Sequence, residues 1–217
     1  MKYKVPLRTN QDVIITQDYA STENAKFYLA NGLKSGKHNG MDIICGDSKT
    51  TYGTPCVCPY PEATVVKVTW DSPLSTKGNG VTIEFRESPD KILQTVFWHT
   101  GEIAVTVGQK LKEGDIICYI GNSGLSTGKS NINDPFSGAH LHFMVFEFNL
   151  VGGRYVMKDA TSELSGAQNP RNYHDFSKWY AGVDTGAKHD IEPLRPFLAG
   201  MNAVQILAFL KRIFKIK

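Results

Sequence analysis

The chain of 217 residues has no H-E-x-x-H, so the helical motif in which two histidines and a glutamate build a zinc protease site is excluded. It has only four cysteines, Cys45, Cys56, Cys58 and Cys118, and no pair separated by two residues, which excludes the usual cysteine-based structural zinc site. All four lie in apolar, β-rich stretches, so they read as small buried hydrophobes with free thiols; a disulfide from Cys45 is left open. Charge is nearly balanced, at +3 overall, and no Lys/Arg cluster with interleaved aromatics is present. Nucleic acid is therefore not an expected partner. The first eight residues carry no apolar core of a leader peptide, and no apolar run is long enough to span a bilayer.

What the chain does have is a pair of histidine-bearing segments a hundred residues apart. In Gly138-Ala139-His140-Leu141-His142-Phe143 the two histidines are two apart, which on an extended segment puts them on one face while Leu141 and Phe143 point into a core. A strand holds its side chains at fixed spacing, so this is a natural way to build a metal site. In Gly36-Lys37-His38-Asn39-Gly40-Met41-Asp42 the Asn-Gly turn pair and the β-rich run that follows argue for a loop entering a strand. There His38, Gly40 and Asp42 share a face. Three imidazoles and a carboxylate are thus candidate ligands, and hydrolytic zinc sites take three protein ligands and a water. Spacing alone does not say which three.

With these stretches the chain resembles the lysostaphin/LytM-like zinc endopeptidases that cut peptidoglycan cross-bridges. The resemblance rests on Gly36-x-His38-x-Gly40-x-Asp42, on Phe97-Trp98-His99-Thr100 and on His140-Leu141-His142-Phe143. The joining blocks agree in kind and order: Gly53-Thr54-Pro55, Gly78-Asn79-Gly80-Val81, Val107-Gly108-Gln109 and Ile120-Gly121-Asn122-Ser123-Gly124. Carried over position by position, it implies that His38, Asp42 and His142 hold Zn²⁺ and that His99 and His140 are catalytic. The implied substrate is a peptidoglycan stem peptide or cross-bridge. The implied fold is all-β, with antiparallel sheets of the duplicated hybrid motif type. A non-catalytic virion or cell-wall protein retaining this fold is the alternative, and the presence of all five site residues speaks for the enzyme. With no leader visible, the expectation is synthesis in the cytoplasm and arrival at the wall through lysis or aboard a virion.

Period-two alternation supports the fold class independently, as in Val81, Ile83 and Phe85 against Thr82, Glu84 and Arg86. Further strands are expected at 13–16, 41–45, 63–70, 92–98, 116–120, 139–150 and 155–157, the last two joined as a hairpin across Gly152-Gly153. The peptidase domain is expected over 1–159. A polar insertion at 129–137 departs from the family pattern and reads as an enlarged loop beside the site. Residues 160–196 lose strand periodicity and read as a wrap-around or linker, in which His174 and His189 have no ligand spacing. Over 197–217 the apolar positions recur at helical spacing and the end is basic, which predicts an amphipathic helix suited to protein docking or to membrane-surface contact.

Overall fold

The computed structural model describes residues 2–30, 32, 34–70, 78–124, 126 and 136–180. The chain divides into two units, 1–184 and 185–217, and the second lies outside the described residues. The expected helix over 197–217 lies there too, and residues 129–135 of the enlarged loop are likewise outside them. No helix among the described residues is long and apolar enough to cross a membrane.

The described part is built of strands: β1 (Tyr3–Arg8), β2 (Val13–Gln17), β3 (Met41–Cys45), β4 (Pro55–Val57), β5 (Glu62–Thr69), β6 (Asn79–Ser88), β7 (Lys91–Ile103), β8 (Lys110–Lys112), β9 (Ile116–Ile120), β10 (Leu141–Val151), β11 (Arg154–Met157), β12 (Ala167–Gln168) and β13 (His174–Tyr180). Two short helices, α1 (Ala25–Ala30) and α2 (Ser48–Thr51), interrupt them. The all-β expectation is met. The main path of the sheet runs β13-β1-β4-β9-β7-β10-β3-β2, with β5, β6 and β8 extending it beside β7. All pairings are antiparallel except β1 with β13. Within 160–196, read from the sequence as irregular, β12 pairs with β10 and β13 lies parallel to β1. Both escape a search for alternation, because one is two residues long and the other pairs with a partner some 170 positions away.

The alternation sets which face is buried. On β6, Val81, Ile83 and Phe85 enter the core with Leu93 and Phe97 of β7 and with Leu141, Phe143 and Val145 of β10. Phe97 and Phe143 meet edge to face, their ring centres 5.6 Å apart, and both are fully buried. Each such side chain contributes about 1.5–3 kcal/mol by burial. The four cysteines are buried with free thiols. On the opposite face Val96, Met144 and Ala167 form a smaller cluster with Tyr19, Trp98 and Phe146. That second face carries the site: residues on β10 that point away from the core include His142, and Asp42 does the same between Met41 and Ile43 of β3.

Candidate metal centre

The register of two neighbouring strands creates the centre. His142 of β10 lies directly opposite Asp42 of β3 and, on its other side, opposite Trp98 of β7. Cross-strand partners have their Cβ atoms about 4.5–5.5 Å apart, close enough for side chains to converge. Asp42 Oδ1 is 2.9 Å from His142 Nδ1 and 3.2 Å from His38 Nε2, and the two ring nitrogens are 3.0 Å apart. Three ligand-type atoms thus form a nearly equilateral triangle. Tetrahedral zinc with bonds of about 2.0–2.1 Å separates its ligand atoms by roughly 3.3 Å, so the donor set fits that ion.

The protons on the rings strengthen the case. His38 Nδ1 donates to the Asp18 carbonyl at 3.2 Å, which leaves Nε2 as a bare lone pair facing the triangle. His142 presents Nδ1 in turn, and Gly40 is what gives the other side of its ring room: a Cβ there would come within 2.9 Å of His142 Nε2 and 2.7 Å of the Phe143 carbonyl oxygen. Three ligand-type atoms within hydrogen-bond reach of one another in a buried place share protons among themselves, and once deprotonated they converge on a volume that suits a cation. Burial would push the Asp42 carboxyl up, but its contacts with His142 and His38 and the proximity of His140 outweigh this and hold it well below the usual carboxylate range. His142 shifts down as well, because burial outweighs the attraction of Asp42. The pair therefore sits as ionised carboxylate and neutral imidazole, the forms that bind a metal.

Two further histidines flank the triangle. His140 Nδ1 donates to the Gly138 carbonyl at 2.9 Å, leaving Nε2 free at 3.6 Å from Asp42 Oδ1. His99 Nδ1 donates to the Ser123 carbonyl at 2.8 Å, and its ring centre is 4.7 Å from that of His140. Simple alternation would send His99 to the core with Phe97. Instead Trp98 and Thr100 oppose Gly80 and Asn79, so His99 is the extra residue of a bulge, with φ of 61°, and its side chain is turned to the groove face. Burial, reinforced by His140 and His142, pushes its imidazole down to about 3, so it is neutral near neutral pH.

The structure thus brings together all five residues singled out from the sequence. His174 lies apart, enclosed by Tyr3, Tyr60 and Phe143. Sequence reasoning missed Tyr28, whose ring stacks on His38 at 5.5 Å and 17°, and Ser123, whose hydroxyl also accepts from the Asn79 N–H. It missed Asp18 for a physical reason: Asp18 acts through a carbonyl that every residue possesses.

Several known proteins are similar to this chain in sequence or in fold. An "Uncharacterized metalloprotease" of Haemophilus influenzae is 31% identical over 115 residues, which is 53% of this chain and 19% of that protein, so the chain spans about a fifth of this relative's length. The solution structure of lysostaphin superposes with a TM-score of 0.50 at 17% identity, covering 86% of this chain and 61% of that one. The catalytic domain of lysostaphin from Staphylococcus simulans gives a TM-score of 0.46 at 22% identity over 76% of this chain and 92% of that one. The profile of Peptidase family M23 matches residues 36–156, more than half of the sequence, and the chain belongs to that family.

Proposed function

We propose that this protein is a zinc metalloendopeptidase that hydrolyses peptide cross-links of bacterial peptidoglycan, with His38, Asp42 and His142 as the metal ligands and His99 and His140 as the acid-base pair. The observation that carries the reading is the triangle of two imidazole nitrogens and one carboxylate oxygen, flanked by two further histidines. The family match supports peptide hydrolysis, and the order of the motif blocks supports the wall as substrate.

A zinc ion so held supplies Lewis acidity, lowering the pKa of water from about 15.7 towards about 7 and polarising a carbonyl oxygen. The chain's own residues do the rest. With Nδ1 tied to the Gly138 carbonyl, His140 offers Nε2 over the triangle, where it accepts the proton of an attacking water. His99, tied the same way to Ser123 and kept neutral by burial, offers its Nε2 lone pair beside it, where it orients the water, while the proton taken up by His140 passes to the leaving amine. Burial of both rings keeps bulk water from competing for these hydrogen bonds.

The test is digestion of purified walls with D-alanyl-diaminopimelate cross-links and walls with glycine bridges, followed by mass spectrometry of the fragments. New amino termini from one wall type, lost with chelator and in His38→Ala and Asp42→Ala, are the expected result. Intact walls of both kinds with zinc-loaded protein would refute the substrate, and zinc retained in full by both variants would refute the ligand set.

A further inference from the structure

Residues 18–21, between β2 and α1, hold His38 from two sides. The Asp18 carbonyl accepts from its ring, the Ala20 N–H donates to its carbonyl at 2.8 Å, and the His38 N–H donates to Ser21 at 2.9 Å. Ala20 has φ of 62°, a left-handed conformation that a residue with a Cβ keeps only when its surroundings impose it. Those surroundings are the outer face of β7 and β10 together with one later segment. The Tyr19 ring packs with Val96, Met144 and Ala167, and its hydroxyl donates to the Ala167 carbonyl at 2.6 Å. Arg171 holds the Asp18 carboxylate through Nε at 3.3 Å and Nη2 at 3.2 Å. One residue before His38, Lys37 pairs with Glu163 at 2.5 Å. Glu163, Ala167 and Arg171 all lie beyond residue 156, where the family match ends.

We propose that residues 163–171 form a strap that positions the metal centre, acting through Asp18, Tyr19 and Ala20 to fix the ring of His38 with Nδ1 protonated and Nε2 offered to the metal. The inference rests on the reading of His38 as a ligand. Its physical basis is that the partner of a ligating imidazole's second nitrogen sets both tautomer and orientation, and that loss of such a partner lowers metal affinity by about 10- to 100-fold. The exposed ion pairs contribute little singly, so Tyr19, half-buried and fastened at both ring and hydroxyl, is the main link and the charged contacts add to it.

The experiment compares full-length wild type, Tyr19→Phe, Arg171→Ala, the double variant and His38→Ala. Zinc affinity is measured by chelator competition, the cobalt(II) absorption spectrum reports ligand geometry, and urea unfolding of the metal-free proteins reports the fold. Neither strap substitution opens a large cavity, so the double variant is expected to unfold at nearly the wild-type midpoint. It is expected to bind zinc about 10-fold more weakly and to show altered cobalt bands. Imidazole nitrogen NMR of the metal-free protein, which needs no zinc at all, is expected to find His38 in the Nδ1-protonated tautomer in wild type and in mixed tautomers in the double variant. Zinc affinity within twofold of wild type, with one unchanged His38 tautomer, would overturn the strap. Zinc affinity unchanged in His38→Ala would instead overturn the ligand assignment beneath it.

Discussion

Gly40→Ala perturbs the centre without touching a ligand, and the structure says by how much. The added Cβ would stand 2.7 Å from the Phe143 carbonyl oxygen, 2.9 Å from His142 Nε2 and 2.9 Å from Met144 Cγ, where ordinary contact begins at 3.4 Å. The Met144 side chain can bend away. The Phe143 carbonyl cannot do so easily, because β10 is paired to β3 at that residue and to β7 on the other side. The shortfall at that oxygen is about 0.7 Å, and the loop from 38 to 40 has to absorb most of it. Gly40 lies midway between His38 and Asp42, so the displacement passes to both, and contact with His142 reaches the third ligand. Metal sites tolerate about 0.2 Å in ligand distances and functional constellations about 0.5 Å. Zinc affinity is therefore expected to fall at least about 10-fold, with roughly 1–3 kcal/mol lost from the metal-free fold as for other overpacked sites. Chelator competition gives the first quantity and urea unfolding the second. A variant that binds zinc within twofold of wild type would refute the claim that Gly40 is there for clearance.

Three further outcomes are expected. His140→Ala and His99→Ala should keep their zinc and lose about 10²- to 10⁴-fold in turnover, read as metal content and rate on the same samples; loss of zinc in His140→Ala with retention in His142→Ala would reverse their roles. His174 is fully enclosed and burial pushes its imidazole down to about 3, with the nearby Pro170 carbonyl opposing the shift only in part. The unfolded chain takes up that proton near pH 6.5 and the native one does not, so this contribution is complete above about pH 6.5 and is lost as pH falls towards 3, at up to about 1.4 kcal/mol per pH unit. His174→Phe should flatten the acid limb of the metal-free protein's urea stability, and an unchanged limb would contradict the assignment. Burial pushes the Cys45 thiol up to about 12 and Cys58 to about 11, so all four buried thiols should react with a disulfide reagent only on unfolding, whereas rapid labelling of the native protein would show the core to be open.

How much of this was legible in the sequence differs between strands and loops. The face assignment on β10 was legible because Leu141, Phe143 and Val145 alternate with His142 and Met144: the first three enter the main core, while Met144 joins the cluster on the other face. The same reasoning fails on the neighbouring strand at His99, where a bulge reverses the side the residue faces and nothing in Phe97-Trp98-His99-Thr100 marks it. β4 is three buried residues with no period to detect. The pairing of β13 with β1 is non-local and parallel, and its sequence has no dominant alternation. Patterns of side chains predict elements that are long, regular and alternately buried, and each of these departs from that in one respect: a bulge at His99, three buried residues in β4, no dominant alternation in β13.

The site's deeper regularity lies where a side-chain pattern does not reach. His38, His99 and His140 each donate Nδ1–H to a main-chain carbonyl, of Asp18, Ser123 and Gly138, and each thereby turns Nε2 towards the same small volume. His142 is the exception, presenting Nδ1, and it is the one that needs Gly40 to clear the space behind its ring. A carbonyl acceptor places almost no demand on the identity of the residue that carries it, but it places a strict demand on the path of the backbone. That demand appears as left-handed conformations next to or within the site: φ of 62° at Ala20, 61° at His99 and 72° at Gly138. Of these only Gly138 announces itself as a residue suited to its conformation. At Ala20 and His99 a residue with a Cβ is held there by its surroundings, by Tyr19 and its tethers in one case and by the β6–β7 bulge in the other. The tautomers that make the centre a metal site are therefore set by tertiary structure, and a substitution that leaves every histidine in place but relaxes one of these turns should weaken metal binding as surely as the loss of a neighbouring hydrogen bond.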